Sequence, residues 1–142
     1  MALRKHKLEL AIDEDYCLLG MVSDDPDYKV CWQINRALGT DFRKTDDLEI
    51  YHRKLDLMQE FSLFSYEEPE SFLTYRIISN RSDPGHFLDE LMNLDYLIHI
   101  QGEIFTDKIQ VFMQNVAAIP EIRLCVPVDL SRIRNHERLL LW

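Results

Sequence analysis

The stretch of residues 95–128, DYLIHIQGEIFTDKIQVFMQNVAAIPEIRLCVPV, decides the fold because it has the pattern of strand, helix and strand. Residues 96–101 are largely apolar on both alternating faces, which is typical of a strand covered on both sides. Thr106 is suited to cap the next helix, and Pro120 ends it, because the residue before a proline avoids helical angles. Ile122, Leu124 and Val126 then predict a strand with one buried face. The helix, residues 107–118, carries one apolar stripe at helical spacing: Ile109, Phe112, Met113, Val116 and Ala117.

A second helix is predicted over residues 26–38. Asp25 can cap it, and Pro26 suits the first helical position. Gly39 can adopt the left-handed angles that end a helix. The apolar stripe has the same spacing as in the first helix: Val30, Cys31, Ile34, Ala37 and Leu38.

The remaining elements are mainly strands. Alternating or β-branched runs predict strands over residues 8–12, 16–22, 42–51, 61–66 and 72–78, the last two as a hairpin. A short helical turn is expected within residues 86–94 and a C-terminal helix over residues 131–142. The order predicts one α+β domain over residues 1–142 with a ferredoxin-like split βαβ plan. In that plan two main helices cover one face of a mostly antiparallel sheet, and the middle strands are expanded; a different α+β layering is the alternative.

Composition excludes several classes of protein. With 46% hydrophobic and 29% charged residues the chain can bury a core and keep a hydrated surface. The formal net charge of −9 disfavours nucleic acid, which is bound through basic patches, so we expect no nucleic-acid partner. No apolar run approaches the ~20 residues that span a bilayer, so we expect neither membrane association nor a signal peptide. Cys17, Cys31 and Cys125 lack metal-binding spacing and predict reduced thiols in a cytoplasmic protein.

No motif commits the chain to a reaction. The five histidines fall in separate segments, and no HExxH, P-loop, dinucleotide or nucleophile-elbow pattern occurs. We therefore predict no catalytic residue, no metal site and no cofactor. His99 is expected to be a structural histidine within a strand, with an acid–base or ligand role as the alternative. His86 and Asp89 lack a nucleophile and a third group and define no catalytic set.

The aromatic residues suggest a surface for a protein partner. Tyr28 and Trp32 lie one turn apart on the helix predicted over residues 26–38, where they are either rim residues of the core or part of a partner surface. A sheet with helices on one face leaves its other face to be covered, and a large exposed apolar patch usually indicates association. We therefore expect a homodimer or a protein partner. The predicted surface comprises Tyr28, Trp32, Tyr51, Phe64, Tyr66 and Tyr75.

Two families have similar patterns. DYKVCWQIN (27–35), DDL (46–48), DYLI (95–98), QGE (101–103) and IPE (119–121) together resemble the IPExxxVDY family, a group of bacterial proteins of similar length. The resemblance covers nearly the whole chain, implies a bacterial source and transfers no activity. Residues 18–39 and 109–128 are also similar to the two halves of an ACT-type regulatory domain, which implies a ferredoxin-like fold, dimerisation and amino-acid binding. Asp27 stands where that pattern has a glycine, and its carboxylate would repel a ligand carboxylate.

These observations favour a non-catalytic interaction or regulatory module that self-associates. An ACT-like small-molecule sensor, with an amino acid as ligand, is the alternative. A small enzyme would need titratable groups that converge in a pocket.

Overall fold

The computed structural model describes residues 12–13 and 16–140. Most of the strand expected over residues 8–12, and the end of the expected C-terminal helix, lie outside the described residues. The long helices are α1 (Asp27–Leu38) and α2 (Thr106–Ala117). The 3-10 turns Asp89–Leu91, Leu130–Arg132 and His136–Leu140 stand where short helices were expected. The described strands are β1 (Ile12–Asp13), β2 (Tyr16–Val22), β3 (Arg43–Lys44), β4 (Leu48–His52), β5 (Leu57–Phe61), β6 (Leu63–Glu67), β7 (Thr74–Ser79), β8 (Tyr96–Gln101) and β9 (Leu124–Pro127).

Seven of these strands form one antiparallel sheet, as the sequence predicts. Its order is β1-β2-β8-β7-β6-β3, and β9 pairs with the part of the outer edge of β2 that β1 leaves free. Because β2 and β7 both run antiparallel to β8, they are parallel to each other and separated by one strand. The same relation holds for β8 and β9 on either side of β2. Strands β4 and β5 form a separate two-stranded hairpin.

Both helices pack on the same face of the sheet, which confirms the prediction. Each helix buries one stripe against alternating residues of the strands, and each fully buried large side chain contributes about 1.5–3 kcal/mol before entropy is subtracted. The helix residues in this core are Val30, Cys31, Ile34, Ile109, Phe112 and Val116.

The opposite face of the sheet is also covered, as the apolar pattern of residues 96–101 predicts for that strand, but the sequence did not show which segments supply the cover. Asn80 is fully buried and anchors the covering segment: its side-chain amide donates to the carbonyls of Leu91 and Leu94, and its side-chain oxygen accepts from the N–H of Leu88. The β4–β5 hairpin and the C-terminal 3-10 turns complete the cover. The buried residues of this second core are Tyr16, Leu18, Phe61, Leu63, Ile78, Phe87, Leu88, Leu91, Leu97, Val128, Leu130, Ile133 and Leu139.

Three local predictions were wrong by one residue. Pro26 is the cap of α1 rather than its first residue, and neither Asp25 nor any other side chain caps that helix. Thr106 is the first residue of α2 rather than its cap, and no side chain caps that helix. Ile122 lies in a turn before β9, where its N–H bonds to the carbonyl of Ile119. Within β9, Leu124 is 43% exposed and Cys125 is buried. A shift of one residue exchanges the two faces of a strand, so Cys125 takes the core position expected for Leu124.

Candidate functional site

Two of the six residues predicted for a partner surface lie together on the exposed side of α1. Tyr28 is 67% exposed and Trp32 is 55% exposed, so neither is a rim residue of the core. One turn further on, the guanidinium carbon of Arg36 lies 5.2 Å from the centroid of the Trp32 ring, a cation–π contact. Trp, Tyr and Arg are the residue types most enriched at interaction hot spots.

The other four residues do not form the predicted patch. Phe64 and Tyr75 are buried in the core beneath the helices, and Tyr66 packs half-buried against them. The prediction of an exposed patch is wrong for these residues because their positions on β6 and β7 point to the helix face. Tyr51 is 54% exposed, but it lies on the β4–β5 hairpin, where its hydroxyl donates to Asp56.

An open groove runs beside Trp32 between the two helices. Its volume is about 670 Å³. One wall is the C-terminal half of α1, and the other is the last turn of α2 with the loop that follows it. Arg36 and Glu121 lie on its opposite walls, and neither forms an ion pair among the described residues. We call this surface the helix groove; its lining residues are Trp32, Gln33, Arg36, Ala37, Leu38, Asn115, Ala118, Ile119, Pro120 and Glu121.

Gln33 is the polar residue buried in the wall of the helix groove. It is 5% exposed, and its Nε2 donates to a carboxylate oxygen of Asp25 at 2.9 Å. Its Oε1 is buried and has no hydrogen-bond partner among the described residues. A buried acceptor without a partner costs about 1–3 kcal/mol.

The turn between β2 and α1 is acidic and internally satisfied. The N–H of Ser23 donates to Asp95 at 3.0 Å, and the Tyr96 hydroxyl donates to the carbonyl of Asp25. Arg81 forms an ion pair with Asp95 at 2.7 Å. The surrounding cleft also contains the carboxylates of Asp24 and Asp25, so it disfavours the carboxylate of an amino acid.

His99 is a buried structural residue. It is 1% exposed, and its ring stacks on Tyr16 with centroids 4.9 Å apart. Burial, with a smaller effect of the Arg76 guanidinium, lowers the pKa of His99 from 6.5 to about 3, while a hydrogen bond with the backbone of Leu139 raises it slightly. The imidazole is therefore neutral near pH 7 and is a weak proton acceptor there.

The remaining chemistry-bearing residues are spread apart. All three cysteines are unpaired and buried, as expected, and burial raises the pKa of Cys17 and of Cys125 to about 12. Thiols with such a raised pKa are poor nucleophiles. Among residues 12–13 and 16–140, no group of three or more His, Cys, Asp or Glu side chains is arranged to hold a metal ion.

Sequence reasoning missed Gln33, Arg36 and Glu121. The spacing of Trp32 and Arg36 contained a usable signal, because residues four apart on a helix are neighbours. Glu121 had no such signal, because it reaches the groove only through the packing of α2 against α1.

Comparison with known proteins adds no assignment. No protein-family model, curated protein or solved structure matches the chain. The resemblances to the IPExxxVDY family and to ACT-type domains thus stay predictions. None of the helices in the described part of the chain has the length and apolar character needed to cross a membrane.

Proposed function

We propose that this protein is a non-catalytic, cytoplasmic interaction module that self-associates through α1 and the helix groove. The observation that carries the proposal is the side chain of Trp32, 55% exposed beside an open groove. A large aromatic ring left in water loses the burial that normally stabilises it, and a second protein surface would restore that burial.

The charges at the groove support pairing with a second copy. In a two-fold interface the same patch meets itself, so a residue on one wall contacts a residue on the other wall of the partner. Arg36 and Glu121 carry opposite charges on the two walls. Two copies related by a two-fold axis can therefore form the Arg36–Glu121 pair twice.

We also propose a ferredoxin-like fold for this module. The order β9-β2-β8-β7 is that of a split βαβ plan in which each helix joins two parallel strands with one strand between them. On this proposal β3, β4, β5 and β6 are an insertion between α1 and β7. Two of the inserted strands extend the sheet, and the other two form the separate hairpin.

Size-exclusion chromatography with light scattering, at micromolar protein concentrations, tests self-association. We expect a dimer that Trp32→Ala weakens by about 2 kcal/mol, or about thirtyfold in Kd. Tyr51→Ala removes an aromatic ring of equal exposure far from the groove and is expected to leave the dimer intact. Arg36→Glu and Glu121→Arg should each weaken the dimer, and the double variant should restore it. A strict monomer throughout that concentration range would refute the proposal.

A small-molecule sensor is the second candidate. It is favoured by the volume of the helix groove, which falls within the roughly 300–1,000 Å³ of ligand pockets. A ligand that binds only the folded protein raises its melting temperature. Thermal-shift measurements with amino acids and nucleotides should find such a compound, and Trp32→Ala, which removes an exposed ring from the groove wall, should reduce its effect. If no compound raises the melting temperature, this candidate fails while the dimer remains testable.

A further inference from the structure

Phe72 has an unusual position in the turn that joins β6 to β7. Its side chain is 84% exposed, and its backbone φ is +60°, in the left-handed region. Bulky residues rarely adopt that region because the side chain crowds the backbone. The benzyl group is therefore held in water on a strained backbone, without compensating burial among the described residues.

Hydrogen bonds hold this turn in one conformation. The N–H of Phe72 donates to the carbonyl of Glu68 at 3.0 Å, and the N–H of Glu68 donates to the carbonyl of Leu73 at 2.9 Å. The Ser71 hydroxyl donates to the Glu68 carboxylate, which also pairs with Lys108 of α2 at 2.5 Å. Leu73 is fully buried and anchors the turn. The backbone that carries the ring of Phe72 is thus already ordered before binding, which lowers the entropic cost of binding.

A second exposed phenylalanine lies on the neighbouring segment. Phe105 precedes α2 and is 61% exposed. The Glu68–Lys108 ion pair joins the two segments, and a β-carbon at Gly102 would lie 3.5 Å from the carbonyl oxygen of Phe72. We call residues 67–73 and 102–108 together the phenylalanine surface. It lies at the Gln101 end of β8, whereas α1 begins at the opposite end of the sheet.

The phenylalanine surface is strongly acidic. Its two segments contain five carboxylates and a single amine, that of Lys108, which already pairs with Glu68. Glu67, Glu70 and Asp107 are exposed. This net charge of −4 repels phosphates and attracts basic groups. A second copy of this chain, with its net charge of −9, is a poor electrostatic match.

We propose that the phenylalanine surface binds a lysine- and arginine-rich segment of another protein. Aliphatic side chains and stems of that segment pack on the rings of Phe72 and Phe105, and its cations face the surrounding carboxylates. This binding is independent of the helix groove. The chain would then have two contact surfaces, one for its own copy and one for a basic partner.

Fluorescence anisotropy with a labelled peptide tests the proposal on the full chain. The probe is a peptide of about twelve residues that alternates pairs of lysine or arginine with leucine, and the control peptide has glutamate in place of each basic residue. We expect the basic peptide to bind and the acidic peptide not to bind. Phe72→Ala and Phe105→Ala should each weaken binding by about tenfold or more.

Matched charge variants distinguish binding at this surface from nonspecific attraction of the basic peptide to an acidic protein. Glu70→Lys, next to Phe72, should weaken binding. Glu49→Lys makes the same charge change on the exposed part of β4 and should not. Equal effects of the two variants, full affinity in Phe72→Ala, or no binding at about 1 mM peptide would each overturn the proposal.

A stability measurement shows whether Phe72 serves to bind a partner or to stabilise the fold. Phe72→Gly should raise the melting temperature, because glycine adopts a φ of +60° without strain, and it should still lose binding. A lowered melting temperature would assign Phe72 to holding the fold and would refute its role as a binding residue.

Discussion

Acidification should destabilise this protein through one buried imidazole, that of His99. The ring is 1% exposed between the sheet and the C-terminal 3-10 turns, and it stacks on Tyr16. Burial, followed by the nearby Arg76 guanidinium, lowers its pKa from 6.5 to about 3. The folded protein therefore keeps His99 neutral at pH values where the unfolded chain protonates it.

The sign and size of the effect follow from proton linkage. Above pH 6.5 the imidazole is neutral in both states and does not make stability depend on pH. Below pH 6.5 the unfolded chain binds one more proton until the folded protein is protonated near pH 3. The free energy of unfolding thus falls by about 1.4 kcal/mol for each pH unit, or about 2 kcal/mol at pH 5. That loss is large beside a usual net stability of about 5–15 kcal/mol.

Urea unfolding between pH 8 and pH 5 measures this loss, and His99→Gln isolates it. The variant retains a polar side chain without an ionisable ring, and the carboxylates common to both proteins cancel in the comparison. His52→Gln removes a different imidazole, on the β4–β5 hairpin, and serves as the matched control. An unchanged pH dependence in His99→Gln, or an NMR titration of His99 near pH 6 in the folded protein, would refute the reasoning.

Three further predictions concern the stability of the fold and are checked by urea or thermal unfolding. Gly102→Ala should cost about 1–3 kcal/mol, because φ is +129° and the new β-carbon would lie 2.9 Å from a core side chain. Gly39→Ala, with a φ of +70° and no atom within 4 Å, should cost only about 1 kcal/mol; equal losses would contradict the packing account. Phe61→Ala should cost about 3–5 kcal/mol if the second face of the sheet is a true core, whereas Leu57→Ala, 49% exposed on the same strand, should change stability by less than about 0.5 kcal/mol. Asn80→Ala leaves the N–H of Leu88 and the carbonyl of Leu94 without partners, while the carbonyl of Leu91 keeps its bond from the N–H of Leu94, and it should cost more than about 2 kcal/mol; a smaller loss would show that water replaces the amide.

The two proposed contact surfaces differ in how they are built. The helix groove lies between α1 and α2, so its shape depends on how the helices pack. The phenylalanine surface depends instead on one turn and on the Glu68–Lys108 ion pair that fixes it to α2. Variants at Trp32 and at Phe72 are therefore expected to act independently, since they share no contact.

Local pattern was sufficient for most secondary structure. Apolar residues at helical spacing located α1 and α2, and Gly39 ended α1 in the left-handed conformation as predicted. Alternation located β2, β8 and the β6–β7 hairpin. The helices also share one face, as expected from the two strand–helix units. These properties depend on residues within a few positions of one another, and the sequence displays them directly.

Sequence was a poor guide to the direction in which single side chains point. Phe64 and Tyr75 were expected on an exposed face and lie beneath the helices. Phe72 was expected to begin a strand and instead lies exposed in the turn before it, and Phe105, for which the sequence makes no prediction, is exposed as well. Alternation defines two faces of a strand but does not say which face the helices will cover. The left-handed backbone of Phe72 likewise has no signature in residue type, because bulky residues rarely adopt it.

Short-range periodicity therefore established most of the elements of this protein and their order, although residues 42–51, predicted as one strand, form β3 and β4 in different sheets. Tertiary packing decided the rest: the second core that closes the free face of the sheet, the register of β9, the burial of His99 and the exposure of Trp32 and Phe72. The second core brings Phe61, Phe87 and Leu139 together from segments far apart in the chain. Such contacts form only when the whole chain folds, since each must offset the entropy of closing a long loop, and local pattern does not indicate which distant segment will supply the cover.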